Sequence, residues 1–398
     1  MGDPVRIIHV SDTFAPVMGG IETQVARLAA QQARAGHDVT VLTAAMADPT
    51  KGLPRSVGDG LVFDDEDAQP YTVARSQWQN PFGAPVDPRA PRRFIEYIRA
   101  QKPDAVHVHL GELTPVAMAV LAALKDGDTP TVASVHCIWS KFPTVPLYRG
   151  GAKLLDLYDA PVLWLPNSEL TATRVRQVVS PDRVRVQNNS VDPAGWKTEP
   201  VPHDGLVAVT ATRFALRKRV PALLRMLREV GEQLGINMGS APRNALPLRV
   251  VVAGEGPGLK AAQTYLDHHG MAGWVELPGR LSKDALVELY SRSDIYLAPS
   301  VKDAFSISGL EARAAGLAIL TRSQSGFGAA VLDGTEGRAV PTDRAMAGVL
   351  VEWARDPAQP AAYKAHNQAV EMPYSWKNAL PQIERAYEDA AALRVSRM

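Results

Sequence analysis

Cysteine and aromatic residues are scarce in this sequence. Cys137 is the single cysteine among 398 residues, so the chain can form neither an intramolecular disulfide nor a cysteine-only zinc site. Aromatic residues account for 6% of the chain and charged residues for 21%, an ordinary globular composition. The composition suits a reducing compartment and excludes a predominantly disordered chain.

An excess of charge of either sign is also missing. The chain carries 43 Lys and Arg against 42 Asp and Glu, a formal net charge of +1. A nucleic-acid-binding protein usually concentrates positive charge, because phosphate contacts supply most of the affinity. We therefore expect no nucleic-acid partner.

Long apolar runs are missing as well. The longest nearly uninterrupted one, Pro115 to Leu124, is about half of the ~20 residues that span a bilayer. The first residues do not show the basic and then apolar layout of a signal peptide. We expect a cytoplasmic protein, soluble or at most peripheral at the inner face of a membrane.

The length and the hydrophobic pattern indicate two α/β domains. Short β-branched runs alternate with segments of helical period, which is typical of βαβ units and a parallel sheet. A polar, proline-containing stretch around residues 198–205 interrupts the alternation. The predicted parts are an N-terminal Rossmann-like domain over residues 1–197, a second one over 198–375, and a C-terminal helix over 376–398.

The predicted elements cover most of both halves. Strands in the first half are predicted at Val5–Val10, Asp38–Ala44, Asp104–His109, Thr131–His136, Val162–Pro166 and Arg183–Gln187. Strands in the second half are predicted at Leu206–Thr210, Leu248–Ala253, Trp274–Leu277, Asp294–Ala298 and Leu317–Thr321. Two such halves facing each other enclose a cleft, and parallel sheets bind ligands at the carboxyl ends of their strands.

Three strand-to-helix turns carry residues suited to a phosphorylated ligand. Gly19-Gly20 opens a helix after the first strand, where backbone N–H groups and the helix dipole favour an anion. Arg213 and Lys218 lie five positions apart on a turn of the second half, and two cations suit a diphosphate. The acids Asp303 and Glu311 flank a loop of small residues that enters a further helix. Taken singly, these features also fit a tight turn, a solvated basic turn and helix-capping acids.

In combination the three turns resemble the family-4 retaining glycosyltransferases of the GT-B fold. The marks of that family are a Gly-Gly-x-Glu loop, an Arg-x4-Lys turn and a Glu-x7-Glu segment. This chain has Gly19-Gly20-Ile21-Glu22, Arg213-(x4)-Lys218 and Asp303-(x7)-Glu311 in the same order, with Asp at the first acid. Segments 104–109, 134–136, 166–168, 189–192 and 253–257 resemble further landmarks, so the resemblance covers nearly the whole chain.

The resemblance implies transfer of a hexose-type sugar from a UDP or GDP sugar to an acceptor hydroxyl, with retention and without a metal or other cofactor. The implied catalytic residues are His136, Asp303, Arg213 and Lys218. The implied sugar-donor-binding residues are Gly19, Gly20, Arg213, Lys218, Gly254, Asp303, Phe305, Ser306, Ile307 and Glu311. Lys218 and Arg213 would hold the diphosphate, and Glu311 the ribose. The first half would take a small-molecule or lipid-linked acceptor; the oligomeric state stays open.

Two other functions remain open at this point. A GT-B sugar-nucleotide epimerase would use the same sugar donor without an acceptor. A catalytically silent nucleotide-sugar binding protein is suggested by Asp303, Ala304 and Ser306, which depart from the family pattern.

Several further patterns are weaker. His107, His109 and His136 could offer metal ligands, but no cysteine or carboxylate cluster completes such a site, and a buried or phosphate-facing role is favoured. Asp65-Glu66-Asp67 is interpreted as a solvated acidic loop. Gly254-Glu255-Gly256 lacks the third glycine of a dinucleotide loop. Basic residues with interleaved aromatics predict a solvated helix face or a membrane contact: Arg89, Arg92, Arg93, Phe94, Tyr97 and Arg99.

Overall fold

The computed structural model describes residues 4–16, 19–44, 60–64, 69–76, 87–236 and 246–395. The chain divides into two compact units, Met1–Asn189 with Trp376–Met398 and Ser190–Ser375. The first unit therefore ends after Asn189, earlier than the boundary expected after residue 197. Val191 explains the difference, because its N–H donates to the carbonyl of Tyr374 and ties this stretch to the second unit.

A parallel sheet forms the centre of the first unit. Its described strands are β1 (Arg6–Ser11), β2 (Asp38–Thr43), β3 (Val62–Phe63), β4 (Thr72–Arg75), β5 (Ala105–Leu110), β6 (Thr131–Val135) and β7 (Val162–Pro166). They lie in the order β3-β4-β2-β1-β5-β6-β7, and within this described set only β3 runs antiparallel to its neighbour. β5 is buried along its whole length, as expected of a parallel sheet with both faces covered.

Five helices alternate with these strands: α1 (Gly20–Arg34), α2 (Ala90–Gln101), α3 (Pro115–Leu124), α4 (Thr144–Leu154) and α5 (Glu169–Val175). α5 begins where the side chain of Ser168 accepts a hydrogen bond from the N–H of Thr171, a regular N-cap. α3 begins with proline, whose fixed backbone angle suits the first turn of a helix. The α/β alternation predicted from the sequence is thus confirmed in this unit.

The strand predicted at Arg183–Gln187 is wrong. Residues Pro181–Arg183 form a short 3-10 turn. The segment then runs along the edge of β7, where the N–H groups of Arg185 and Gln187 donate to the carbonyls of Trp164 and Pro166. The β-branched residues predicted an extended chain, and the segment is extended. After the turn at Pro181, however, it bonds to β7 only through every second backbone N–H group.

The second unit has a sheet whose neighbouring strands all run parallel. Its described strands are β8 (Leu206–Ala211), β9 (Leu248–Ala253), β10 (Val275–Gly279), β11 (Ile295–Ala298), β12 (Ala318–Arg322) and β13 (Gly337–Val340), in the order β10-β9-β8-β11-β12-β13. Its helices are α6 (Val220–Gln233), α7 (Leu259–His268), α8 (Lys283–Ser291), α9 (Ile307–Ala314), α10 (Asp343–Arg355) and α11 (Ala358–Ala369). Two hydrophobic clusters, containing Leu227 and Tyr296 respectively, cover the two faces of this sheet. The predicted fold class, two Rossmann-like α/β domains, is confirmed.

The last helix, α12 (Trp376–Val395), belongs to the first unit. Its side chains Trp376, Ile383 and Tyr387 pack in one cluster with Ile7 and Leu165 of the first sheet. The predicted return of the C-terminal helix to the N-terminal domain is confirmed. None of the described helices combines the length and the apolar character needed to cross a membrane.

Arg394 fastens the end of α12. Its guanidinium donates to the carbonyl oxygens of Leu124, Lys125 and Gly127 at distances of 2.9, 2.5 and 2.6 Å. Arg394 is 8% exposed, and a buried carbonyl that loses its partner costs more free energy than an exposed one. The end of α3 and the end of α12 therefore depend on the same side chain.

We predict that Arg394→Ala lowers the free energy of unfolding by about 3 kcal/mol, because three carbonyl oxygens, of which that of Leu124 is buried, lose their hydrogen-bond partner. Urea unfolding followed by circular dichroism measures the change. Arg385→Ala, an exposed arginine on the same helix, is the matched control and should change stability by less than about 0.5 kcal/mol. Equal effects of the two substitutions would contradict the assignment.

Candidate active site

The sites predicted in the second unit lie at the carboxyl ends of three neighbouring strands. β8 lies between β9 and β11 in the sheet. Arg213 and Lys218 follow β8, Gly254 follows β9, and Asp303 follows β11. Since parallel strands end at the same edge, these loops meet where open α/β sheets bind ligands.

Close backbone packing joins the loops after β8 and β9. The N–H of Thr212 donates to the carbonyl of Ala253, and the N–H of Phe214 donates to that of Glu255. Gly254 has a φ of 134°, and a Cβ atom there would lie 1.9 Å from the carbonyl oxygen of Thr212. Only glycine permits this approach. The glycine therefore shapes the loop that carries Arg213.

The structure pairs Lys218 with Asp303. Lys218 Nζ lies 2.9 Å from Asp303 Oδ2, and the side chains are 26% and 15% exposed. Arg213 is exposed. Among the described residues, no ion pair or side-chain hydrogen bond involves its guanidinium. One predicted phosphate-binding cation is thus held by the predicted sugar-binding acid, and the other faces solvent.

Arg219 performs a structural task beside these cations. It has a φ of 60° and precedes α6, in the left-handed region that favours glycine. Its guanidinium donates to the carbonyl of Pro299 at 3.0 Å and to Asp343 Oδ2 at 2.6 Å. These contacts link the β8 loop to the end of β11 and to α10, and they offset the backbone cost of an arginine at this position.

The N-terminus of α9 lies in the loop after β11. The side chain of Ser306 accepts a hydrogen bond from the N–H of Gly309 at 3.2 Å and caps the helix. Ser308 Oγ lies 2.6 Å from the hydroxyl of Tyr296 on β11. Phe305 is buried in ring contacts with Phe327 and Tyr374. Of the predicted sugar-donor contacts here, Phe305 can therefore offer its backbone rather than its ring.

Glu311 lies one turn further along α9 and is 7% exposed. Burial is the main cause that raises the pKa of Tyr296 to about 12, and the nearby charges of Asp303 and Glu311 raise it further. Burial, and then the neighbouring Tyr296 and Glu311, raise the pKa of Tyr290. A carboxylate beside neutral phenols at this edge has the chemistry to accept hydrogen bonds from hydroxyl groups.

The first unit collects polar side chains at the carboxyl edge of β1, β5 and β6. His136 directly follows β6, and its backbone N–H donates to the carbonyl of Leu110 at the end of β5. Gly19 precedes α1 as its N-cap with an extended backbone, and Gly20 is the first residue of that helix. These placements agree with the positions expected after the strands.

Asp12 is a residue of this edge that the sequence patterns did not single out. Its carboxylate accepts hydrogen bonds from the N–H groups of Val116 and Ala117 at 3.1 and 2.8 Å, at the start of α3. Burial raises its pKa, and the two N–H donors oppose that effect. A polar residue immediately after β1 was the available signal, but its partner lies about a hundred residues away in the chain.

The histidines of β1 and β5 stack on one another in the interior of the first unit. His9, His107 and His109 bring ring nitrogens within 4.8 Å of one another. The ring of His107 stacks on that of His109 with centroids 4.3 Å apart, and His9 Nδ1 lies 2.9 Å from His109 Nε2. Metal ligands instead direct separate lone pairs at one ion. The buried role expected for His107 and His109 is confirmed.

The basic patch predicted on α2 is wrong in part. Phe94 is fully buried, and Arg93 donates to Asp87 Oδ2 and Ser76 Oγ, each at 3.0 Å. Arg92 is exposed and paired with Glu96. The helical period places Arg93 and Phe94 on the face that packs on the sheet, so the basic and aromatic residues do not form one surface. Asp65-Glu66-Asp67 lies outside the described residues.

The fold and these sites define a two-domain glycosyltransferase of the GT-B class, and comparison with known proteins agrees. Residues 18–194 match the family model Glycosyltransferase Family 4, and residues 197–370 match Glycosyl transferases group 1. The chain belongs to the family-4 glycosyltransferases, as its resemblance predicted.

Relatives span nearly the whole chain at low identity. A phosphatidyl-myo-inositol mannosyltransferase of Mycolicibacterium smegmatis is 26% identical over 393 residues, which cover 96% of this chain and 94% of the relative. A human protein named as part of phosphatidylinositol N-acetylglucosaminyltransferase is 21% identical over 388 residues, which cover 96% and 76%. The crystal structure of Anabaena HepE with UDP and glucose aligns with a TM-score of 0.72 at 17% identity, covering 96% and 99%. This last likeness concerns the fold.

We predict that Gly254→Ala lowers the free energy of unfolding by about 3 kcal/mol or more, because a Cβ atom strains the backbone and meets the Thr212 carbonyl. Thermal unfolding measures the loss. The control is Gly273→Ala, since a Cβ atom there meets nothing within 4 Å and should change stability by less than about 1 kcal/mol. A Gly254→Ala protein of unchanged stability would show that the loops do not need this contact.

Proposed function

We propose that the protein is a retaining, metal-independent glycosyltransferase that moves a hexose-type sugar from a UDP or GDP sugar to an acceptor hydroxyl. The observation that supports this most strongly is the placement of Lys218 and Asp303, 2.9 Å apart, at the carboxyl edge of a parallel sheet. A cation and a carboxylate at such an edge suit the two ends of a sugar diphosphate: phosphate on one side and sugar hydroxyls on the other.

Glycosyl transfer builds positive charge on the anomeric carbon and negative charge on the leaving diphosphate. Fixed cations at the leaving group stabilise charge that grows toward the transition state, which lowers the barrier. Lys218 and Arg213 perform this task in our proposal, so a divalent ion is not needed to balance the phosphate charge. An arriving diphosphate competes with Asp303 for Lys218, and the released carboxylate then accepts hydrogen bonds from the sugar.

Retention follows if acceptor and leaving group share one face of the sugar. A phosphate oxygen of the leaving group then takes the proton of the attacking hydroxyl as the new glycosidic bond forms. A dedicated protein base is not required for that step. In our proposal His136 takes part in catalysis, as the family resemblance implies, and the buried Glu311 holds the ribose hydroxyls.

The first test is thermal unfolding with UDP, GDP, ADP and their hexose conjugates, without added metal. A ligand at about 100 times its dissociation constant should stabilise the protein by roughly 2.7 kcal/mol. We expect a shift for UDP or GDP compounds that Lys218→Ala removes. Lys260→Ala, an exposed lysine on α7, should retain the shift.

Three outcomes of these experiments would contradict the proposal. Absence of any nucleotide shift would exclude the diphosphate site. Binding without turnover across a panel of acceptors would favour a silent binding protein. Release of an altered sugar without an acceptor would favour an epimerase.

An exposed apolar surface on α4 supports a lipid-linked acceptor. We call it the α4 surface; its large side chains are Phe142, Leu147, Leu154, Leu155 and Tyr158, which are 81%, 60%, 85%, 41% and 49% exposed. Solvent-exposed apolar groups in such a cluster usually mark an interaction site. α4 follows His136 in the chain, and its first turn therefore comes after the carboxyl end of β6.

The charges of the α4 surface favour binding to an anionic membrane only slightly. Exposed Lys141, Arg149 and Lys153 lie in the same segment as the apolar side chains, and exposed Asp156 and Asp159 flank Tyr158 at its end. The small excess of positive charge means that apolar insertion contributes more than electrostatic attraction. Two relatives are named for phosphatidylinositol substrates, which supports a lipid-linked acceptor here. We therefore propose a cytoplasmic enzyme that contacts the inner face of a membrane peripherally.

We predict that the protein sediments with vesicles of phosphatidylcholine and phosphatidylserine at low salt. Leu147→Ser with Leu154→Ser should weaken this binding at least about tenfold, because two large apolar side chains no longer enter the lipid. Leu332→Ser, at a leucine 60% exposed in the second unit, should leave binding unchanged. Failure of the unaltered protein to bind would exclude the membrane contact but not the nucleotide site.

A further inference from the structure

Four histidines of the first unit stack on one another, and hydrogen bonds join three of them directly. His9 Nδ1 lies 2.9 Å from His109 Nε2, and His109 Nδ1 lies 3.0 Å from His136 Nε2. His107 stacks beside them on β5. Neighbouring rings are tilted by 22° to 32°. We call His9, His107, His109 and His136 the histidine stack; it ends at the side chain proposed to act in catalysis.

A buried glutamine on α1 connects the histidine stack to the terminal helix. Gln32 Nε2 donates to the hydroxyl of Tyr387 on α12 at 2.8 Å. The carbonyl oxygen of the same amide, Oε1, lies 2.7 Å from His9 Nε2. An amide carbonyl only accepts hydrogen bonds, so His9 Nε2 must carry the proton in this arrangement.

The protonated nitrogen of each following ring is then determined in turn. A neutral imidazole has one N–H donor and one acceptor nitrogen. His9 Nδ1 is therefore the acceptor and receives the Nε2–H of His109. His109 Nδ1 receives the Nε2–H of His136 by the same rule. His136 is left with a lone pair on Nδ1, a buried atom that is not engaged with His109.

Gln32 begins two chains of hydrogen bonds; the first runs through His9, and the second runs through Tyr387 to His107. The Tyr387 hydroxyl receives the N–H of Gln32 and lies 2.9 Å from His107 Nδ1, to which it donates. His107 Nε2 then carries the proton and donates to Ser134 Oγ at 2.7 Å. All four rings consequently have the same tautomer, with the proton on Nε2.

Burial keeps these rings neutral near pH 7, which the assignment requires. It lowers the pKa of His9 to about 4 and that of His136 to about 4, while hydrogen bonds with Gln32 and Asn189 respectively oppose the effect. It also places the pKa of His107 and His109 well below the usual range, with the neighbouring histidines adding to the decrease. The Asn189 amide can present either its NH2 group or its oxygen to His136, so it adapts to the tautomer.

We propose that Gln32, acting through His9 and His109, fixes the tautomer of His136 with the proton on Nε2 and thereby holds its ring in place at the carboxyl end of β6. Gln32, His9 and His109 are positioning residues, and His136 is the residue that the proposed function places in catalysis. The Nε2–H bond to His109 orients the ring of His136, so losing that bond changes the position of the ring. The catalytic part of this inference rests on the proposed function, whereas the tautomers belong to the protein alone.

Nitrogen-15 NMR of histidine-labelled protein tests the tautomers directly, because protonated and bare ring nitrogens have well-separated shifts. Single substitutions among the nine histidines assign the signals. We expect a bare Nδ1 and a protonated Nε2 in all four rings of the histidine stack. A protonated Nδ1 in His9, His109 and His136 would overturn the proposal, since the glutamine amide would then be oriented the opposite way.

Gln32→Glu separates the two branches. The new carboxylate accepts from both His9 and the Tyr387 hydroxyl, so Tyr387 no longer donates to His107. We expect the proton of His107 to move to Nδ1, while His9, His109 and His136 keep theirs on Nε2. The neighbouring Gln31→Glu should move none of them. If the nitrogen-15 shifts of His107 are the same in Gln32→Glu as in the unaltered protein, the role of the glutamine is contradicted.

A pair of substitutions at position 109 tests the effect on catalysis. His109→Asn keeps an oxygen acceptor near the place of Nδ1, whereas His109→Leu removes it. We expect His109→Leu to leave His136 with mixed tautomers and to lower kcat about tenfold, with the KM for the sugar donor unchanged. His109→Asn should preserve both the His136 tautomer and most of kcat.

The outcomes distinguish the two levels of the proposal. Equal kcat values for His109→Leu and His109→Asn, in proteins with the same unfolding midpoint, would overturn the positioning role. If the tautomers are as expected but His136→Ala leaves turnover unchanged, the catalytic part of the inference fails. Loss of nucleotide binding by the second unit would instead indicate a failure of the proposed function.

Discussion

Gly254 and Thr212 lie so close together that no side chain fits between them, and the candidate site of the second unit depends on this contact. It allows hydrogen bonds from Thr212 and Phe214 to join the loops after β8 and β9. A loop fixed in this way presents cations without a large entropy cost on binding, since its backbone is already ordered. Arg219 adds to the same rigidity by linking the turn to Pro299 and Asp343.

The ion pair between Lys218 and Asp303 gives the rigid loop a defined state without ligand. A partly exposed pair of this kind contributes little to stability, so a phosphate that brings two negative charges can replace the carboxylate at small cost. Arg213 is exposed and needs no such release. The two cations therefore differ, because Lys218 is paired and Arg213 is exposed. Under the proposed function, phosphate binding at Lys218 would release the Asp303 carboxylate for sugar hydroxyls.

Local patterns predicted the fold and the placement of the turns after the strands well because their causes are local. A strand followed by glycine or basic residues and then a helix is readable within about ten residues, as at Arg213–Lys218 and around Gly19. Predictions failed where the decisive partner lay elsewhere. Arg93 became buried because the phase of α2 turns it toward Asp87 and Ser76, and Arg183–Gln187 became irregular because a turn at Pro181 precedes the edge of β7.

The polar network of the first unit could not be read from the sequence for the same reason. Gln32 and Tyr387 are 355 positions apart, and His9 and His109 are 100 apart. Their side chains meet only because α12 packs its apolar face on the sheet beside Ile7 and Leu165. Hydrophobic burial thus brings the donors and acceptors together.

A buried network of this kind stabilises the fold only when its members are paired, because an unpaired polar group in a low-dielectric interior is costly. Each ring of the histidine stack has hydrogen-bond partners in sequence, so displacing one member affects all that follow. The end of the chain therefore bears on the reactive edge of the first sheet through Tyr387 and Gln32, although both side chains lie in the interior. The orientation of His136 therefore depends on the apolar packing of α12.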